Sequence, residues 1–451
     1  MAGRTLEQFD LEPEIRRVGR ALADALASRG LTPLEAVDRK AMELAERDAH
    51  LRAALFRLVD VTPACGSLDD LAGHLREYLE EVEERPPSLE VAMRAAHTKA
   101  GRVALGAAAA AGVRHMAHRF IVGESPQSAL GAIERSWRDG IGTSLDLLGE
   151  ATVTQREADR YAERCREAIE TLARAARQWP DRPALERDSV GPLPRVNVSV
   201  KVTALTPLLR PEAPHVGRED AAGRLRLLLR VAHEAGAHLH VDMESVDALE
   251  TTEELFFSLL EEEEFRTGPS AGLVLQAYLL DSPSRLERIL EWARSTRREP
   301  PLAVRLVKGA YWDHEVVAAR QHGWRPPVFE SKVDCDRNYE ELTRRLLDAR
   351  PLVRVAVASH NLRSVAQAVA HNRLSGGDDL DLELQVLRGL GDDLARALAS
   401  SGLRVRAYAP VGDLVAGMAY LVRRLLENTA NESFLHHWRQ GASLDELLEA
   451  P

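Results

Sequence analysis

Val196-Asn197-Val198-Ser199-Val200-Lys201-Val202-Thr203 alternates apolar and polar residues without a break. Successive side chains of a strand point to opposite faces, so four valines make one face and Asn197, Ser199, Lys201 and Thr203 the other. Two later runs repeat the rule: His238, His240 and Asp242 oppose Leu239, Val241 and Met243, and Arg404, Arg406 and Tyr408 oppose Val405 and Ala407. Eight strand-like runs lie near 142–149, 196–203, 238–244, 272–279, 302–308, 353–360, 381–388 and 404–409. Helix-length segments separate them, such as the one opened by the capping box Thr154-Gln155-Arg156-Glu157 and running toward Trp179. Eight strand–helix units in roughly 290 residues match an α/β fold of the (β/α)8 TIM-barrel type, typically ~250 residues before insertions. An antiparallel sheet with one wetted face shows the same alternation, but its connections are short.

In a barrel the apolar face meets the outer helices, the polar face lines the lumen, and chemistry sits at the C-terminal strand ends. The residues collected there are Lys201, Asp242, Gln276, Arg305, Lys308, His360 and Tyr408. Buried charges need partners, and cations dominate this set, so an anionic ligand or cofactor is the expected occupant. Internal salt bridges filling the barrel are the alternative. His238-Leu239-His240 lacks a third nearby ligand, so lumen hydrogen bonding is expected there and no metal.

Upstream the chain reads as helical. Ile15, Val18, Leu22 and Leu26 recur at helical spacing, Thr32-Pro33-Leu34-Glu35 has the form of a capping box, and further helices are expected around 34–59, 67–84 and 88–119. Gly106 to Gly112 encloses five alanines, a composition suited to close helix packing. The expected division is a helical N-terminal arm over 1–135, the barrel over 136–436 and a tail over 437–451.

The chain has 451 residues, 45% hydrophobic and 29% charged, which places it in the soluble globular class. Its net charge of -11 argues against wholesale nucleic-acid binding. Cys65, Cys165 and Cys335 form no paired motif, so a reducing compartment fits. Residues 1–10 lack the apolar stretch of a signal peptide and no apolar run reaches the ~18 residues of a membrane span, so a cytoplasmic location is expected, with peripheral membrane contact left open. No G-x-G-x-x-G follows a strand, which leaves NAD chemistry unsupported.

RLVKGAYWD (305–313), YAPVG (408–412) and YLVRRLLENTAN (420–431) resemble motifs of the proline dehydrogenase family, including the proline dehydrogenase part of bifunctional bacterial proline-utilisation flavoenzymes. VSVKVTAL (198–205), HVDMES (240–245), LQAYL (275–279), ASHN (358–361) and LQVLRGLGDDL (384–394) extend the resemblance over about residues 89–436. It implies a distorted (β/α)8 barrel that binds FAD and oxidises L-proline to Δ1-pyrroline-5-carboxylate by hydride transfer from C5 to flavin N5, with electrons passed to a membrane quinone.

The resemblance also implies roles. Arg423, Arg424 and Lys201 would hold the substrate carboxylate; alternatively the two arginines are surface residues paired to Glu427. Tyr311, Leu387 and Tyr408 would pack on the substrate ring, Tyr408 disfavouring a hydroxylated ring; ordinary barrel packing is their other reading. Glu150 would pair with Arg423 to close the site, or cap the next helix. For FAD the pattern points to Gln276, Arg305, Val307, Lys308, Gly309, Trp312, Lys332, Ser359 and His360, with Arg305 stabilising negative charge on the reduced ring. Trp312 and His360 are each also readable as structural. Cys335 and Ser359 stand where relatives usually carry threonine, and adjusted cofactor contacts are expected. Other readings are the N-terminal part of a bifunctional enzyme with an aldehyde dehydrogenase domain, a flavoenzyme for another cyclic secondary amine, and a flavin-free binding protein.

Overall fold

The computed structural model describes residues 8–28, 49–82, 90–91, 93–94, 97–149, 152–413, 417 and 443–451. Eight strands close a parallel barrel: β1 (Ile141–Leu147), β2 (Asn197–Lys201), β3 (His238–Asp242), β4 (Ser270–Gln276), β5 (Leu302–Val307), β6 (Val353–Ala358), β7 (Leu382–Leu387) and β8 (Arg404–Val411). Neighbours pair in sequence order and β8 returns to β1. Each strand lies on an expected run, and seven of the runs overshoot at the C-terminal end. There the chain leaves the ladder to build the barrel mouth; after Lys201, for example, Val202–Ala204 form a 3-10 turn.

The alternation in β2 is read correctly by the fold. Val198 and Val200 are fully buried in the shell between strands and outer helices, each such side chain contributing ~1.5–3 kcal/mol. Asn197, Ser199 and Lys201 face the lumen, and the register sets Lys201 level with Asp242 and Ser144 level with Tyr408. One assignment changes. Met243, expected on the outer face, follows the last residue of β3 and borders the mouth cavity as well as the core. The helix Gln155–Ala176 opens with the expected capping box on Thr154 and Glu157.

At the other end of the barrel, a short ribbon pairs Arg187–Asp188 with Gly191–Pro192. Asp188 meets Arg354 and Arg404, which stand near the N-terminal ends of β6 and β8, so the ribbon closes the barrel floor.

The helical region divides between two cores. Helix Gln8–Ala27 puts Leu11, Ile15, Val18 and Leu22 into the barrel's own core, against helices Leu362–Leu374 and Asp392–Ser400. Helices Ala49–Val61, Leu68–Glu80 and Lys99–Phe120 instead form a separate small core. A Cβ on Gly106 would fall 1.9 Å from the carbonyl oxygen of Leu68, which explains the small-residue stretch as a close helix approach. The helix expected over 88–119 is interrupted at Thr98, whose extended backbone and side-chain bond to Gly101 N start a new helix. The capping box at Thr32 lies outside the described residues.

Candidate active site

A cavity of about 270 Å³ opens at the C-terminal mouth of the barrel. Its floor is one connected set of charges. Lys201 Nζ donates to Asp146, lies 3.5 Å from Asp242 and donates to Tyr408 Oη at 3.4 Å. Tyr408 Oη donates to Asp242 at 2.6 Å. Arg305 donates to the other oxygen of Asp242 at 2.7 Å and to Ser144 and Ser199 at 3.1 and 3.2 Å, with its guanidinium 5.3 Å from the Tyr408 ring centre. Burial works against the Lys201 charge, but the Asp146 and Asp242 carboxylates prevail and hold the ammonium above its usual range.

This corrects the reading of a cation-dominated lumen. In the floor layer Lys201 and Arg305 face Asp146 and Asp242 one for one, and Lys308 pairs with Asp336. Internal ion pairs, the alternative reading, do fill the layer. Asp146 was missed although its strand carries the same signal: Ser144 and Asp146 alternate inward in Gly142-Thr143-Ser144-Leu145-Asp146. Glu150, the carboxylate expected at the end of this strand, lies outside the described residues together with Arg423, Arg424 and Glu427.

The walls come from loops after successive strands. Gln276 ends β4 and donates to Glu244 O at 3.0 Å. Thr203 donates to the Glu244 carboxyl, which burial pushes up. Val307 ends β5, followed by Lys308 and Gly309; Gly309 has φ +143°, and a Cβ there would lie 2.4 Å from the Tyr278 ring. Only glycine fits that backbone, and the crowding comes from Tyr278 beneath it. Tyr311 and Lys332 border the same space. Ser359, which accepts from Asn361 N at 3.1 Å, and His360, whose Nε2 accepts from Leu387 N at 2.9 Å, complete the wall with Leu387.

Trp312 departs from expectation. It begins helix Trp312–Gln321, is 39% exposed, and donates to Phe329 O at 2.8 Å outside the cavity lining. Cys335 packs half-buried against the core, and burial pushes its thiol up to about 11.

Among the described residues lining the cavity, Gln276 Oε1 and Arg305 Nε are buried without a hydrogen-bond partner. One is an acceptor and the other a donor. Leaving such atoms unmet costs about 1–3 kcal/mol each, so the lining offers one acceptor and one donor to a polar ligand. At the barrel floor His238 and His240 bond to each other at 3.1 Å, and His238 to Ser270 at 2.8 Å.

The family model described as "Proline dehydrogenase" matches residues 129–437, and "Proline utilization A N-terminal domain" matches residues 12–120. Among curated proteins, the chain is similar to the bifunctional protein PutA of Salmonella typhimurium, 32% identical over 347 residues, covering 75% of this chain and 25% of that protein. It is also similar to the proline dehydrogenase of Deinococcus radiodurans, 30% identical over 322 residues, covering 71% of this chain and 89% of that protein. Among solved structures, PutA from Bdellovibrio bacteriovorus inactivated by N-propargylglycine superposes with a TM-score of 0.88 at 35% identity, over 98% of this chain and 44% of that one. The chain thus spans about a quarter of the length of the curated PutA proteins it matches.

Proposed function

We propose that this chain, which belongs to the proline dehydrogenase family, oxidises L-proline to Δ1-pyrroline-5-carboxylate, the first step of proline catabolism to glutamate. The observation that carries the reading is the floor network, in which one carboxylate, Asp242, fixes Arg305, Tyr408 and Lys201 together. The family implies a redox cofactor, and FAD is our specific reading. The unmet Gln276 acceptor and Arg305 donor and the glycine-only turn at Gly309 fit a flavin ring. Gln276, Arg305, Val307, Lys308, Gly309, Lys332, Ser359 and His360 would hold it; Trp312, set outside the cavity, has less support. FAD when bound supplies the acceptor for the hydride that leaves proline C5.

The chain's own residues do the rest. Lys201, kept protonated by Asp146 and Asp242, offers a donor now spent on Tyr408 to the substrate carboxylate, with Arg423 and Arg424 as proposed co-ligands. Arg305 is held by three acceptors, so its positive charge is fixed and would stabilise the negative charge that a bound flavin gains on reduction. Tyr408, pinned by Asp242, presents a fixed ring beside Leu387 and Tyr311, a wall that shapes ring recognition. Glu150 is proposed to close the site through Arg423.

We further propose the division into arm (1–135), barrel (136–436) and tail (437–451), and electron delivery to a membrane quinone through peripheral contact. None of the described helices is long and apolar enough to cross a membrane. The match at residues 12–120 favours a companion reading, that the chain is a part or partner of a bifunctional system with an aldehyde dehydrogenase. The decisive experiment is the visible spectrum before and after anaerobic proline addition. A flavin band that bleaches with proline is expected; a colourless protein, or a band indifferent to proline, overturns the reading.

A further inference from the structure

Beneath the floor of the mouth cavity lies a second void of about 40 Å³, bounded by residues of β2 through β8 and by Leu193 and Pro194 of the segment closing the barrel. One water needs ~10–15 Å³ on such a measure, so a halide-sized ion with a companion water has room there. Arg354, Arg404 and Arg406 meet Asp188 and Glu383 around it, none more than 8% exposed.

The three arginines are not equally served. Arg406 forks onto Glu383 at 2.9 and 3.0 Å and donates to Thr143 O at 3.1 Å. Arg354 pairs with Asp188 through both oxygens, Nε at 2.9 Å and Nη2 at 3.1 Å, and donates to Pro192 O at 3.1 Å, leaving Nη1 buried without a hydrogen-bond partner. Arg404 comes no nearer than 3.6 Å to Asp188 and 3.9 Å to Glu383, and its Nε and Nη1 are buried with no hydrogen-bond partner. Asp381, the adjacent carboxylate, is engaged by Ser189 N and lies 4.0 Å from Arg350. The histidines add no charge, since burial and Arg406 press His238 down to about 3, and burial and Arg305 lower His240. Three guanidiniums therefore face two carboxylates among the described residues, all five side chains being buried. A guanidinium does not escape by losing its proton, so one positive charge and its N–H groups stand uncompensated.

We infer that this lower void is a binding site for a small monovalent inorganic anion of halide size, held by Arg404 and Arg354, distinct from the mouth cavity and serving to complete the barrel. Such an ion cancels the excess charge and accepts from the unmet N–H groups, which a water does only in part.

The test uses the purified full chain and chloride or bromide as the probe. Thermal unfolding is followed at constant ionic strength while gluconate is exchanged for halide, and crystals grown in bromide are examined for anomalous scattering. The expected result is a Tm rise of about 2 °C or more with halide and a bromide peak beside Arg404 and Arg354. In Arg404→Gln the halide dependence is expected to vanish; its persistence overturns the inference. If that variant does not fold, the bromide map of the unmodified chain decides. Water in the void with no bromide peak overturns the site, and a peak without halide-specific stabilisation means an adventitious ion only, which overturns it equally.

Discussion

The two layers of the barrel lumen are built from the same residue types and solve opposite problems. In the upper layer Lys201 and Arg305 are matched by Asp146 and Asp242, and the unmet atoms are one acceptor and one donor in the cavity lining. In the lower layer arginines outnumber carboxylates, and the unmet atoms are guanidinium N–H groups and His240 Nε2. Balanced charge fixes side chains while leaving them able to exchange a neutral hydrogen bond for a ligand, as Lys201 can with Tyr408. Excess charge instead demands a counter-ion for the fold itself. A polar lumen is therefore not one functional signal; the local charge count separates a reaction site from a structural one.

Removing the keystone of the upper layer has the largest expected effect. Asp242→Asn frees Arg305, Tyr408 and Lys201 together and leaves buried cations underpaired, so kcat/KM for proline is expected to fall at least about 100-fold, or ~3 kcal/mol. Steady-state kinetics within threefold of the unmodified chain contradict the role assigned to this network.

The lower layer is best probed through acid. His238 is held near 3 in the folded state, against 6.5 in the unfolded chain, so its contribution is complete above pH 6.5 and declines as pH falls toward 3. Between pH 6.5 and 5 the loss is about 2 kcal/mol. Urea unfolding at those two pH values measures it together with the share of His240, and His238→Asn is expected to reduce the difference by the part that belongs to His238. An equally steep loss in the variant removes His238 from the account.

The smallest expected effect lies at the boundary between substrate and wall. Tyr408→Ser removes a ring pinned by Asp242, so the preference for proline over trans-4-hydroxyproline is expected to narrow about tenfold. The measurement is the ratio of kcat/KM values for both substrates in both proteins. A ratio unmoved by the substitution shows that Tyr408 does not set specificity, and an unmodified chain preferring hydroxyproline refutes the assigned substrate.

Much of the architecture was legible in the sequence because strand alternation is local. The run from Val196 to Thr203 states its own inward face, and the same period places Lys201, Asp242, Arg305 and Tyr408 in one lumen. Capping at Thr154 was equally local. The period does not say where each strand ends, which is why the expected runs extend past the ladder and Met243, just after β3, meets the cavity as well as the core.

What only the tertiary structure decided was pairing. Asp146 and Lys201 are 55 positions apart, and Arg404 and Asp188 are farther still; whether a cation is spent internally depends on which strands become neighbours and in what register. That is why the lumen was read as cationic when its upper layer is neutral. Gly309 is similar, its φ local but its crowding set by Tyr278 from another loop. Trp312 followed the motif in sequence and left the cavity in space, because the helix it opens turns its ring toward Phe329. The sequence by itself determined the barrel, its polar interior and the residues available for chemistry, since these follow from periodicity along one chain. The charge balance of each layer belongs to the closed barrel, because it depends on distances between strands remote in sequence.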